Sequence, residues 1–126
     1  MKLLLSIFLV TICSLVFSQE QDKFIGKWKN KDGTIVEIYT TNESRTVYCG
    51  KIISIQKNNA FQKVDDVIII SMKKANAKKL FGGTFFDKQK GTEYECRLKL
   101  NNDHKLTLVI IHGFFTKSRH WQKVID

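Results

Sequence analysis

The stretch TEYECRLKL, Thr92 to Leu100, alternates strictly: Tyr94, Cys96, Leu98 and Leu100 fall on one side, Glu93, Glu95, Arg97 and Lys99 on the other. A repeat of two puts successive side chains on opposite faces of an extended backbone, so this segment reads as a β-strand with one face buried and one wet. Turn-forming residues bracket it, Lys90-Gly91 before and Asn101-Asn102-Asp103 after. The same punctuation at Lys31-Asp32-Gly33 and Thr41-Asn42-Glu43-Ser44 divides the rest of the chain. Eight strands are predicted: Phe24 to Lys29, Thr34 to Thr40, Arg45 to Gln56, Asp66 to Met72, Lys79 to Phe86, Thr92 to Leu100, Lys105 to His112, and Arg119 to Ile125. Short connections pair neighbours as antiparallel hairpins. Eight in succession with a shared apolar face bury it by curling into an all-β, up-and-down antiparallel barrel. Lys57 to Val64 reads as a polar loop. KKANAKKL, Lys73 to Leu80, reads as a hairpin connection, because so short a helix with four lysines is marginal in water.

Ahead of the barrel, MKLLLSIFLVTICSLVFSQ has a lysine at position 2 and an apolar run from Leu3 to Phe17, the pattern of a secretory signal. The run is short against the roughly 20 residues that span a bilayer, so removal after Ser18 is expected, with no membrane anchor. A lipid anchor on Cys13 is the alternative, disfavoured because Val10, Thr11 and Ile12 are not small. Residues 19–126 then form one domain in a periplasmic or secreted protein.

The chain carries 21 basic and 12 acidic residues, a formal charge of +9. Export argues against nucleic acid and turns attention to an anionic envelope surface or an acidic protein as partner. Of the basic residues 18 are lysine, whereas phosphate readers favour the planar fork of arginine, so most of this charge reads as solvated surface.

The order GKW (Gly26 to Trp28), VEIY (Val36 to Tyr39), CGKI (Cys49 to Ile52), GGTFFDKQKGTEYECRLKL (Gly82 to Leu100) and a closing Trp121 with Lys123 two beyond resembles domain-of-unknown-function family 2147, short exported bacterial proteins. The resemblance implies a lipocalin-like barrel and brings no established chemistry. It departs from the family pattern at Lys88, where a proline is usual, and at Thr116, Lys117 and Lys123. In lipocalin-like barrels the G-x-W tryptophan lies across the floor and packs against a cation from the last strand. The resemblance therefore implies a barrel-closing role for Trp28, with Arg119 or Lys123, on one face of the final strand, as the cation.

Candidate chemistry is sparse. Cys49 and Cys96 fall on the third and sixth strands, too far around a barrel for easy bridging, and read as buried thiols. His112 and His120 stand symmetrically about Thr116 and would face each other in a regular last hairpin, weak candidates for a metal that lacks a third ligand nearby. His104 reads as exposed, and Asp65-Asp66 and Asp87 as turn residues. No nucleophile elbow, zinc-protease helix or phosphate loop is present, so neither an enzyme nor a cofactor is expected. Expected instead is a non-enzymatic binder of a small apolar or amphipathic ligand, lined by Trp28, Ile38, Phe85, Tyr94, Cys96, Leu98 and Trp121. The alternative is an interaction or inhibitor module with a side-chain-filled barrel and basic hairpin tips. VIII (Val67 to Ile70) and LTLVII (Leu106 to Ile111) are apolar on both faces, which suggests a homodimer surface.

Overall fold

The computed structural model describes residues 22–56 and 62–125. The expected signal segment and most of the expected Lys57 to Val64 loop lie outside the described residues. Eight strands follow in chain order: β1 (Gly26–Lys29), β2 (Ile35–Thr40), β3 (Val47–Ser54), β4 (Val67–Asn76), β5 (Lys79–Asp87), β6 (Thr92–Asn102), β7 (Lys105–His112) and β8 (Phe115–Lys123). Each pairs antiparallel with the next, and β8 returns to β1, so the sheet is a closed up-and-down barrel. The expected architecture is the observed one. KKANAKKL is the expected hairpin, with β4 running on to Asn76 and the turn at Ala77 and Lys78.

The last hairpin differs from expectation. It turns at Gly113 and Phe114, so that His112 pairs with Phe115 and β8 begins four residues before Arg119. Gly113 has φ 62°, which suits the first central position of a two-residue turn, where a glycine meets no steric cost.

One face of the alternating pattern fills the interior. Ile38, Ile52, Met72, Leu80, Cys96, Leu98, Leu106 and Leu108 are almost wholly buried in a continuous core. Packing is tight enough that a methyl on Gly83 would collide with Met72 and press on the Cys96 sulfur. Cys96 faces this core, and burial pushes its thiol up to about 12. Cys49 belongs to the other face: it pairs with Tyr39, while the inward Ile38 meets Gly50. Both cysteines are buried and free, as expected.

The floor is built from β1 and the residues just before it. Phe24 and Trp28 have no solvent exposure, and the Trp28 indole donates to the Phe24 carbonyl at 2.9 Å. The Phe24 ring meets Tyr48 edge-on at 6.3 Å, and the Tyr48 hydroxyl donates to the Asp22 carboxylate. Burial, then that hydrogen bond, pushes the Tyr48 phenol well above its ordinary range. Over the Trp28 ring, 4.7 Å from its centre, sits the Lys123 ammonium, which also donates to the Ile25 carbonyl at 2.8 Å. Gly26, at φ 138°, leaves the path open: a methyl there would strike the Lys123 nitrogen.

Lys123 is therefore the closing cation. Arg119, the other candidate, lies four residues higher on β8 and sits over Phe85 instead, 5.4 Å from the ring centre. Replacing Lys123 with Met removes a cation–π contact and a hydrogen bond, and is expected to lower stability by about 1–3 kcal/mol. Arg119→Met is expected to leave it nearly unchanged; urea denaturation midpoints of the two variants compare these costs.

Candidate functional site

With the floor sealed, access lies at the other end, which carries the β1–β2, β3–β4, β5–β6 and β7–β8 connections. β1 stops at Lys29 and matches β8 at two positions only, Trp28 with Lys123 and Lys29 with Gln122. Among the described residues, β8 from Phe115 to Trp121 has no partner strand on its β1 side. The mouth thus continues down one flank as a slot. A cavity of about 470 Å³ occupies it, between the β1–β2 turn, the end of β5 and β8.

The wall contributed by β8 changes character as it rises. Register with β7 sets Trp121 opposite Leu106, Arg119 opposite Leu108 and Lys117 opposite Ile110, and these β7 partners belong to the core. All three β8 residues therefore point to the interior side: a buried indole at the bottom, a half-buried guanidinium above it, and an exposed ammonium at the rim. Phe85, buried, forms the apolar base beneath the guanidinium. The Arg119 guanidinium has no carboxylate partner among the described residues. Across the rim, Tyr94 and His112 stack with ring centres 4.6 Å apart.

One edge of the mouth is held by Asp66. Its carboxylate takes an ion pair from Lys88 at 2.8 Å and a hydrogen bond from the Lys63 backbone N–H at 2.8 Å, tying the β3–β4 loop to the β5–β6 turn. Asp87 caps the Lys90 backbone N–H within that turn.

Of the seven expected lining residues, Phe85 and Trp121 reach the cavity. Trp28, Ile38, Cys96 and Leu98 are buried in the packed interior, and Tyr94 packs partly against it. Large side chains occupy the lower barrel, and the free volume lies above them. His112 and His120 do not face each other. The turn at Gly113 and Phe114 sets His120 opposite Thr107, whose hydroxyl lies 3.2 Å from its Nδ1, on the outward face. No group of three metal-ligating side chains occurs among the described residues. Sequence reasoning missed Lys117 and the flank slot, since both depend on where β8 begins.

Residues 26–123 match the bacterial family described as "Uncharacterized protein conserved in bacteria", DUF2147. The chain belongs to this family. Among solved structures it is similar to HP1028 from the human pathogen Helicobacter pylori, described as belonging to the lipocalin family. That likeness has a TM-score of 0.69 at 17% identity, over 84% of this chain and 86% of that one. A redesigned β-barrel aligns with a TM-score of 0.48 at 10% identity, over 82% and 93% of the two chains. Among curated proteins the comparison finds no match. The lipocalin-like barrel expected of a DUF2147 member is thus the fold of this chain.

Because Lys88 and the Lys63 N–H hold the Asp66 carboxyl below the usual carboxylate range, this clamp is stabilising above about pH 4, the ordinary aspartate value. It is lost as pH falls through the lower folded value. Wild type is expected to lose more stability than Asp66→Asn between pH 7 and pH 3, read as the difference in their denaturation midpoints.

Proposed function

We propose that this DUF2147 protein is a non-enzymatic carrier of one small amphipathic ligand, held at the barrel mouth with an anionic group on Arg119 and an apolar part over Phe85 and Trp121. Eight-stranded barrels have an interior just wide enough to fill with side chains or to hold one small ligand. This one combines both arrangements at different heights. A mouth cavity of about 470 Å³ lies within the range of about 300–1,000 Å³ usual for small-molecule sites. The apolar leader of residues 1–18 supports the same reading in an exported protein.

The observation that carries the proposal is the half-buried guanidinium of Arg119, aimed inward above Trp121 and Phe85 and in no ion pair among the described residues, in a cavity that Asp32 and Asp87 line further out. Arginine presents a planar fork that matches a carboxylate or phosphate through two parallel hydrogen bonds. Lys117, two residues nearer the rim, adds attraction for the same charge. A wholly apolar ligand would leave that fork desolvated and unmatched, at a cost.

The test is displacement of an anilinonaphthalene sulfonate dye by decanoate and by decanol. A hydrogen bond to a charged group contributes about 1.5–3 kcal/mol, so decanoate is expected to compete roughly tenfold or more better than decanol. Arg119→Leu is expected to abolish that preference while leaving decanol unchanged. Equal competition by the two in wild type, or an unaltered preference in the variant, contradicts the proposal.

A further inference from the structure

The β7–β8 hairpin ends in a feature that ligand binding in the cavity does not use. Phe114 and Phe115 are adjacent at its apex and 103% and 78% exposed, the two most exposed large apolar side chains among the described residues. Scattered apolar side chains on a surface are ordinary, but two neighbouring phenylalanines on a convex tip leave a concentrated apolar point in water. The segment from His112 to Arg119, HGFFTKSR, contains no acid. Lys117 follows the tip, and the Tyr94–His112 ring contact sets the hairpin beside the β5–β6 turn that carries Lys88 and Lys90. Asp66 is paired with Lys88, and Asp87 accepts from the Lys90 backbone; Asp32, Asp65 and Glu93 also stand at this end, against Lys29, Lys31, Lys63, Lys88, Lys90, Lys117 and Arg119.

We infer that this tip docks the open end of the barrel on an anionic lipid surface, with Phe114 and Phe115 entering the headgroup boundary and the neighbouring lysines lying against the lipid phosphates. Shape favours a bilayer over a protein partner. A stable protein interface buries about 800 Å² on each side and needs complementary relief, whereas a protruding two-residue apex offers little area and no concavity. A bilayer accepts a narrow apolar point without a matching shape, and its negative surface attracts the flanking lysines. The backbone also permits insertion, because the pairing of His112 with Phe115 leaves only a two-residue turn beyond the ladder. Docking in this orientation would set the cavity facing the lipid. The inference goes beyond the ligand proposal and does not require it.

The chain contains its own control. Lys73, Lys74, Lys78 and Lys79 at the opposite end are exposed and basic without an aromatic apex, so binding driven by charge alone would run through them at least as well. The experiment is co-sedimentation of the chain from Gln19 onward, which holds all eight strands and removes the apolar leader. The vesicles are equal parts phosphatidylglycerol and phosphatidylcholine, or phosphatidylcholine alone. Wild type is expected to pellet with the anionic vesicles. The Phe114→Ser, Phe115→Ser double variant is expected to partition roughly tenfold or more weakly, from loss of two apolar side chains at the boundary. The quadruple variant Lys73→Ser, Lys74→Ser, Lys78→Ser, Lys79→Ser is expected to weaken binding only a few-fold.

Both rings are exposed, so the double variant should retain the wild-type circular dichroism spectrum. Its dye displacement should be unchanged, while Arg119→Leu should pellet like wild type, which separates the two proposals. A double variant that pellets like wild type overturns the inference, as does loss of binding confined to the four-lysine variant. Failure of wild type to pellet with anionic vesicles also overturns it.

Discussion

The Lys123 ammonium over the Trp28 ring is the contact on which the rest of the barrel depends. β1 is four residues long and shares only two register positions with β8, too little ladder to hold a cylinder shut by hydrogen bonds alone. Closure is completed by side chains: Lys123 spans the seam from β8, covers the indole, and ends on the Ile25 carbonyl. Phe24 and Tyr48 pack the remaining floor, with Asp22 accepting from the phenol. Gly26 is the backbone condition for all of this, since any side chain there would occupy the lysine's path.

Sealing one end decides what the other can be. Buried side chains fill the lower barrel, so free volume remains only in the upper part of the interior. There the inward row of β8 passes from indole to guanidinium to ammonium over three alternate positions. This gradient from apolar to cationic is what an amphipathic anion would require. It arises from an ordinary strand repeat, in which one face takes residues of increasing polarity toward the rim. The Asp66–Lys88 pair keeps two neighbouring loops together at that rim.

Strands were legible wherever alternation was strict, and β6 shows why: four apolar and four charged residues in perfect alternation have only one amphipathic reading. β8 was less legible. Thr116 to His120 is polar at every position, so the pattern gives no reason to begin a strand before Arg119 and centres the turn on Thr116. Moving the turn to Gly113 and Phe114 changes the partner of every residue in the hairpin, and a slip of one position exchanges the two faces. The histidine pair depends on the turn at Thr116 and disappears with it. The choice between Arg119 and Lys123 is closed to sequence because both lie on the same face, four residues apart with Trp121 between them; height in the barrel distinguishes them. Trp28, Ile38, Cys96 and Leu98 were placed correctly on the inner face, but whether an inward residue packs or lines free volume depends on the whole set of side chains opposite it. Gly50 and Gly83, which let neighbours approach closely, have no alternation signal of that kind.

Hydrogen exchange along the seam tests the closed barrel most directly. The Trp28 indole N–H, bonded to the Phe24 carbonyl, and the Val124 amide, bonded to the Lys27 carbonyl at 3.0 Å, report on the floor and on the junction of the terminal strands. If the lysine–tryptophan contact seals the cylinder, both exchange as slowly as the central amides of β6 and β7, through global unfolding. Exchange of these two on the timescale of exposed turns, while β6 and β7 remain protected, would mean that the barrel opens at its seam and that the account of its closure is wrong.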